Sequence, residues 1–108
     1  MVNTLFLPEL REMLANDDRS ELEEFCVALN AGRTAEFMEG LNDHDVWRVL
    51  QYASPERRAE IFGYFPEIRQ VAMLEQEAST QVATLVDEIP ADDRVDLMQS
   101  LQIGRAHV

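Results

Sequence analysis

Apolar residues come in adjacent pairs, and the pairs recur every twelve positions along the chain. In blocks that open at Phe6, Asp18, Asn30, Asn42, Ser54, Pro66, Ala78 and Pro90, the eighth place reads Met13, Phe25, Phe37, Val49, Ile61, Met73, Leu85 and Leu97. The ninth reads Leu14, Cys26, Met38, Leu50, Phe62, Leu74, Val86 and Met98. The twelfth place is apolar except at Asp17 and Glu77, and the sixth is apolar from Ala35 onward through Trp47, Ala59, Val71, Ala83 and Val95. Places five, eight, nine and twelve have the i, i+3, i+4, i+7 spacing of an amphipathic helix, although place five is polar in half of the blocks.

The period predicts separate helices. At about 100° per residue, twelve residues turn the apolar stripe by about 120°, so an unbroken helix would spread it around its whole circumference. One break per block lets each short helix turn its stripe to a common core. Break signals occur where this requires them. Asp18, Asn30, Asn42 and Ser54 are N-cap residues, Asp18 to Glu21 resembles a capping box, and Pro55 follows Ser54 at the first helical position. Pro66 and Pro90 interrupt the preceding helices. Helices of about eight or nine residues are marginal alone, so stacking must stabilise them. The expected fold is all-α: a superhelical α-solenoid of about eight short helices, of either hand, with almost no strand. It forms one domain over residues 1–103, followed by a tail over 104–108 that leaves the pattern at Gly104 and frays.

Composition narrows the function. The 108 residues carry 21 acids against 9 bases, a net charge of −12. That excludes a nucleic-acid binder and favours basic surfaces or divalent cations as partners. The lone Cys26 makes no internal disulfide and lies on the apolar ninth place, as a packed thiol. No apolar run is long enough to cross a membrane, and the start at Met1 to Leu5 lacks the features of a signal peptide. His44 lies opposite the stripe and His107 in the tail, a poor basis for a zinc site. Trp47, Phe25, Phe37, Phe62 and Phe65 belong to the core, and the scattered glycines form no phosphate loop.

The acids carry more information. With place five at the centre of the buried face, places three and seven project to the far side, four residues apart and adjacent on the helix. Only two blocks put acids at both: Glu56 with Glu60, and Asp92 with Asp96. Asp93 and the pair Asp87 and Glu88 thicken the second cluster. Two readings fit this face. One is a solvated surface that confers solubility, and the other is a carboxylate face offered to a hard divalent cation.

The segments Ser54-Pro-Glu-Arg-Arg-Ala-Glu-Ile-Phe and Ile89-Pro-Ala-Asp-Asp-Arg-Val-Asp-Leu-Met-Gln-Ser-Leu resemble the cytosolic N domain of MgtE-type magnesium transporters, from about Leu5 to Leu101. In that family a superhelix of short helices precedes a pair of CBS domains and a dimeric membrane pore. The resemblance implies Mg2+ binding by Glu60, Asp92 and Asp96, which bridge to acids of a CBS domain and favour the closed pore. It also implies a homodimeric parent, with this domain on the cytoplasmic side of the cell membrane and weak Mg2+ affinity in the isolated domain. On this reading the chain is a piece of a larger protein. One departure stands out: a family repeat often opens with His-Pro-x-Asp, where this chain has Asn30-Ala31-Gly32-Arg33. The flagellar switch protein FliG resembles the same helical unit. The alternative function is therefore an α-solenoid adaptor that holds a basic polypeptide. No enzyme is expected.

Overall fold

Four of the expected starts are made by side-chain caps. Asp18, Asn30, Asn42 and Ser54 accept hydrogen bonds from the backbone N–H groups of Glu21, Arg33, Asp45 and Arg57. Each cap satisfies one of the donors that a helix N-terminus leaves without a partner. Pro55 occupies the first turn behind Ser54, and the carbonyls of Pro66 and Pro90 accept the first backbone hydrogen bonds of the helices that begin at Glu67 and Ala91.

The computed structural model describes residues 7–76 and 79–106. They form α1 (Leu7–Ala15), α2 (Arg19–Ala28), α3 (Ala31–Met38), α4 (Asp43–Leu50), α5 (Pro55–Phe62), α6 (Glu67–Gln76), α7 (Ser79–Glu88) and α8 (Ala91–Ala106), with no strand among the described residues. Phe6, Glu77, Ala78, His107 and Val108 lie outside the described residues, as do the side chains of Met98 and Leu101.

Helix α2 packs chiefly on its neighbours α1 and α3, but from α3 onward each helix packs chiefly on the helix two before or two after it: α3 on α5, α4 on α6, α5 on α7 and α6 on α8. The rotation of the stripe explains this. Alternate helices form two stacked rows that share one core, drawn out into a body of 39 × 25 × 24 Å. The paired positions fill that core: Phe25, Cys26, Met38, Val49, Leu50, Ile61, Phe62, Met73, Leu74, Leu85 and Leu97 are all buried. Trp47 is 2% exposed and donates its indole N–H to the carbonyl of Met73, at 3.0 Å, near the end of α6. Burial pushes the Cys26 thiol up to about 11, against the smaller opposing pull of Arg57 and Arg58, and fits a packed residue.

The polar residues at place five have structural work. Arg58 donates to the carbonyls of Leu50 and Ala53 at the end of α4, at 2.9 and 3.3 Å. Gln70 donates to the Phe62 carbonyl at 2.9 Å, and Arg94 to the carbonyls of Asp87 and Ile89 at the end of α7, at 3.1 and 3.0 Å. Thr34, fully buried, returns its hydroxyl to the Asn30 carbonyl. The first three therefore tie the preceding helix end to their own helix, supplying donors to carbonyls that a helix C-terminus leaves unpaired.

A second set of arginines reaches back three helices. Arg48 on α4 donates to the Leu14 carbonyl at 2.8 Å, and Arg57 on α5 to the carbonyls of Cys26, at 2.8 Å, and Leu29. Arg69 on α6 donates to the carbonyls of Glu39, at 3.0 Å, and Leu41. Cationic heads at helix C-termini also oppose the negative end of the helix dipole. All nine basic residues of the chain are arginines. Six of them, with Arg11 on the Gly40 carbonyl, spend their donors on the backbone. The fold thus draws positive charge inward and leaves the acids outside.

Three departures from the expected pattern have local causes. Asp17, polar at a twelfth place, follows α1 in a left-handed conformation with φ 50°. Its N–H and that of Asp18 return to the carbonyls of Leu14 and Met13, which closes the helix as a Schellman motif. Val95 is exposed despite its apolar sixth place, since among the described residues no helix covers that side of α8. Helix α8 also runs on through Gly104 to Ala106, where the pattern had put a frayed tail. A glycine in a helix costs about 1 kcal/mol, and no proline follows to stop it.

Candidate cation site

The placement of the acids follows from where the helices turn. On α5, with Ala59, Ile61 and Phe62 in the core, Glu56 and Glu60 are left on the exposed side. On α8, Leu97 faces the core, and Asp92, Asp93 and Asp96 are exposed. The outward projection of places three and seven therefore holds for both acid pairs.

The structure then brings part of each pair together. A cleft of about 710 Å³ runs between α5, the start of α6 and the turn from α7 into α8. Glu56, Glu60, Glu67, Glu88, Asp93 and Asp96 line it, over an apolar floor that includes Phe62, Phe65, Ile89 and Leu97. Glu60 and Asp96 thus share one cleft. Asp92 stays on the exposed surface of α8 outside that lining, and its neighbour Asp93 faces the cleft instead. Glu67 is the wall residue that pattern reading missed. It sits at place two of its block, and its role arises only from the packing of α6 beside α8, which no single helix reveals.

Little positive charge meets the carboxylates of α5 and α8. Glu56, Glu88, Asp92, Asp93 and Asp96 form no ion pair among the described residues. Glu60 lies 3.7 Å from Arg57, with its side chain 60% exposed. An exposed pair of that kind contributes at most about 1 kcal/mol, and the other donors of Arg57 are already on backbone carbonyls. Arg94, behind the cleft, turns its head to the end of α7. Some acids elsewhere differ: Asp43 is held by Arg69 at 3.1 Å, Asp17 by Arg48 at 3.0 Å and Glu23 by Arg19 at 3.0 Å.

Among the described residues, no three His, Cys, Asp or Glu side chains converge to enclose a metal ion. The donor set is instead exposed carboxylates, with no three of them gathered around one point. That suits Mg2+, which keeps most of its waters and takes few protein ligands. At Asn30 to Arg33, where the resemblance had looked for an acid, Asn30 caps α3 and Arg33 lies 3.9 Å from Glu36 and over the Phe37 ring. This corner offers a cation rather than a ligand for one. His44 is exposed, and no described helix is long and apolar enough to cross a membrane.

A family model described as the MgtE intracellular N domain matches residues 29–106, which span α3 to α8 and the whole acidic cleft. No curated protein and no solved structure matches the chain.

Proposed function

We propose, from the premise that this chain belongs to the family of MgtE intracellular N domains, that it is the Mg2+-sensing regulatory domain of a magnesium transporter, held on the cytoplasmic side of the membrane. The observation that carries this reading is the exposed, largely unpaired carboxylate face of α5 and α8 on a domain whose arginines are turned to its own backbone. Glu60, Asp92 and Asp96 are the proposed ligands.

The mechanism is a shift of population. At low Mg2+ the face repels an acidic CBS partner, the parent homodimer stays loose, and its pore opens. Two unit charges about 4 Å apart at an effective dielectric of about 20 interact by about 4 kcal/mol, so a few such pairs suffice to hold two surfaces apart. At high Mg2+, ions shared between these carboxylates and those of the CBS domain turn repulsion into attraction. Shared ions bind the closed arrangement more tightly than the open one, and such a difference in affinity is what moves the equilibrium. The domain alone supplies half of each bridge and binds Mg2+ weakly. No covalent chemistry is involved, and the domain is not an enzyme.

Calorimetry on this domain with and without its CBS partner tests the scheme. Affinity for Mg2+ should rise at least about tenfold in the pair, which is about 1.4 kcal/mol, and fall back with Asp96→Asn or Asp92→Asn. Equal affinity in both settings, or variants that bind as the native chain does, contradicts bridging.

A further inference from the structure

Place eight of the repeat is closed along most of the stack. Phe25, Val49, Ile61, Met73, Leu85 and Leu97 are each 6% exposed or less. Met13 on α1 and Phe37 on α3 depart from this, since both are only partly buried. They line a groove of about 410 Å³ between α1, α2 and α3, together with Ala28 and Leu29 at the end of α2. Leu29 is 39% exposed and Ala28 is exposed too, so the groove turns apolar surface to water.

We infer that residues 1–5, which precede the described chain, cover this groove as the closing half of a preceding repeat. The register names the occupant. Counted back from the block at Phe6, Met1 falls on place eight, Val2 on place nine and Leu5 on place twelve. Those are core places of the blocks that follow, and Asn3 and Thr4 between them are polar. In the groove the place-eight residues of three consecutive helices, Met13, Phe25 and Phe37, already adjoin. A place-eight side chain ahead of Met13 continues that row. The reach is sufficient. Leu7 packs on Gly40 so closely that a Cβ there would lie 2.6 Å from it. Gly40 follows Phe37 by three positions, so the segment ahead of α1 starts beside the α3 wall of the groove. Five residues span up to about 17 Å when extended, and Met13 lies about 9 Å along α1 from Leu7. Burial of three apolar side chains offsets the cost of ordering the segment, and a stack of repeats needs its end unit closed against water. The inference stands apart from the Mg2+ reading, whose cleft lies at α5 to α8.

The test is paramagnetic broadening in the full chain, with a nitroxide attached at Asn3→Cys, a polar place of the segment. Cys26 is fully buried and stays out of the labelling. Amide signals of residues 24–29 and 36–38 should broaden, to the same extent on dilution. Val2→Ser/Leu5→Ser should remove the effect. So should Leu29→Lys, which alters an exposed residue of the groove and leaves the core intact. In both variants amide exchange at Ala28 and Leu29 should quicken about tenfold, while Thr4→Ser exchanges as the native chain does. Broadening that persists in the serine variant reports the tether alone and overturns the inference. Broadening that weakens on dilution, or passes from labelled to unlabelled chains, assigns the groove to a second copy and overturns it too.

Discussion

Replacing Trp47 with alanine should lower the unfolding free energy by about 3–5 kcal/mol, enough to leave much of a small domain unfolded at room temperature. Trp47 is 2% exposed on α4, and its indole N–H reaches the Met73 carbonyl, one of the last four of α6. The substitution removes the largest side chain of the core and unpairs a buried carbonyl in one step. Trp47→Phe keeps most of the volume and loses the donor, so it should cost about 1–3 kcal/mol, between the alanine variant and the native chain. Urea unfolding followed by far-ultraviolet circular dichroism reads both. An alanine variant within about 1 kcal/mol of native stability would show that α4 and α6 do not depend on this contact.

Arg69→Ala should destabilise by about 2–4 kcal/mol, far above the usual effect of changing a surface arginine. One guanidinium serves the carbonyls of Glu39 and Leu41, the carboxylate of Asp43 at 3.1 Å and the ring of Phe65 at 5.2 Å. Both members of the ion pair are about one-fifth exposed, so removal leaves Asp43 short of both water and a cation. Arg69→Lys should recover less than half of the loss, because one ammonium has neither the planar fork nor the reach for three oxygens. Arg19→Ala, whose side chain is 81% exposed in a pair with Glu23, is the control and should stay within about 0.5 kcal/mol. Thermal unfolding of the three variants reads the order. If lysine restores native stability, charge rather than geometry ties α6 to the end of α3.

Which parts were legible in the sequence follows from how local their causes are. Asn30, Asn42 and Ser54 cap their own helices within three residues, so the breaks could be placed by reading along the chain. The pairs at places eight and nine could be read as core because they recur. Exposure of Glu60, Asp92 and Asp96 followed from helix rotation alone. The arginine ties were not legible. Arg57 acts on Cys26 and Arg69 on Glu39, about thirty residues back, and only the two-row packing sets those partners. The same limit hid which acids share a cleft. Asp93 and Glu67 face it while Asp92 does not, a matter of how α8 settles on α5 and α6. The repeat pattern lapses at Gly104, yet that residue sits inside α8.

The central claim is that the carboxylates of α5 and α8 form a cation-collecting face, set apart from the acids that arginines already hold. Mn2+ added to isotopically labelled domain is the direct test, since it takes the same oxygen ligands as Mg2+ and broadens nearby amide signals. Broadening should centre on residues 56–60 and 92–96, reverse with excess Mg2+, and vanish in Glu60→Gln/Asp96→Asn. Broadening that is as strong around Asp17, Glu23 and Asp43, or that survives the double variant, would contradict the claim.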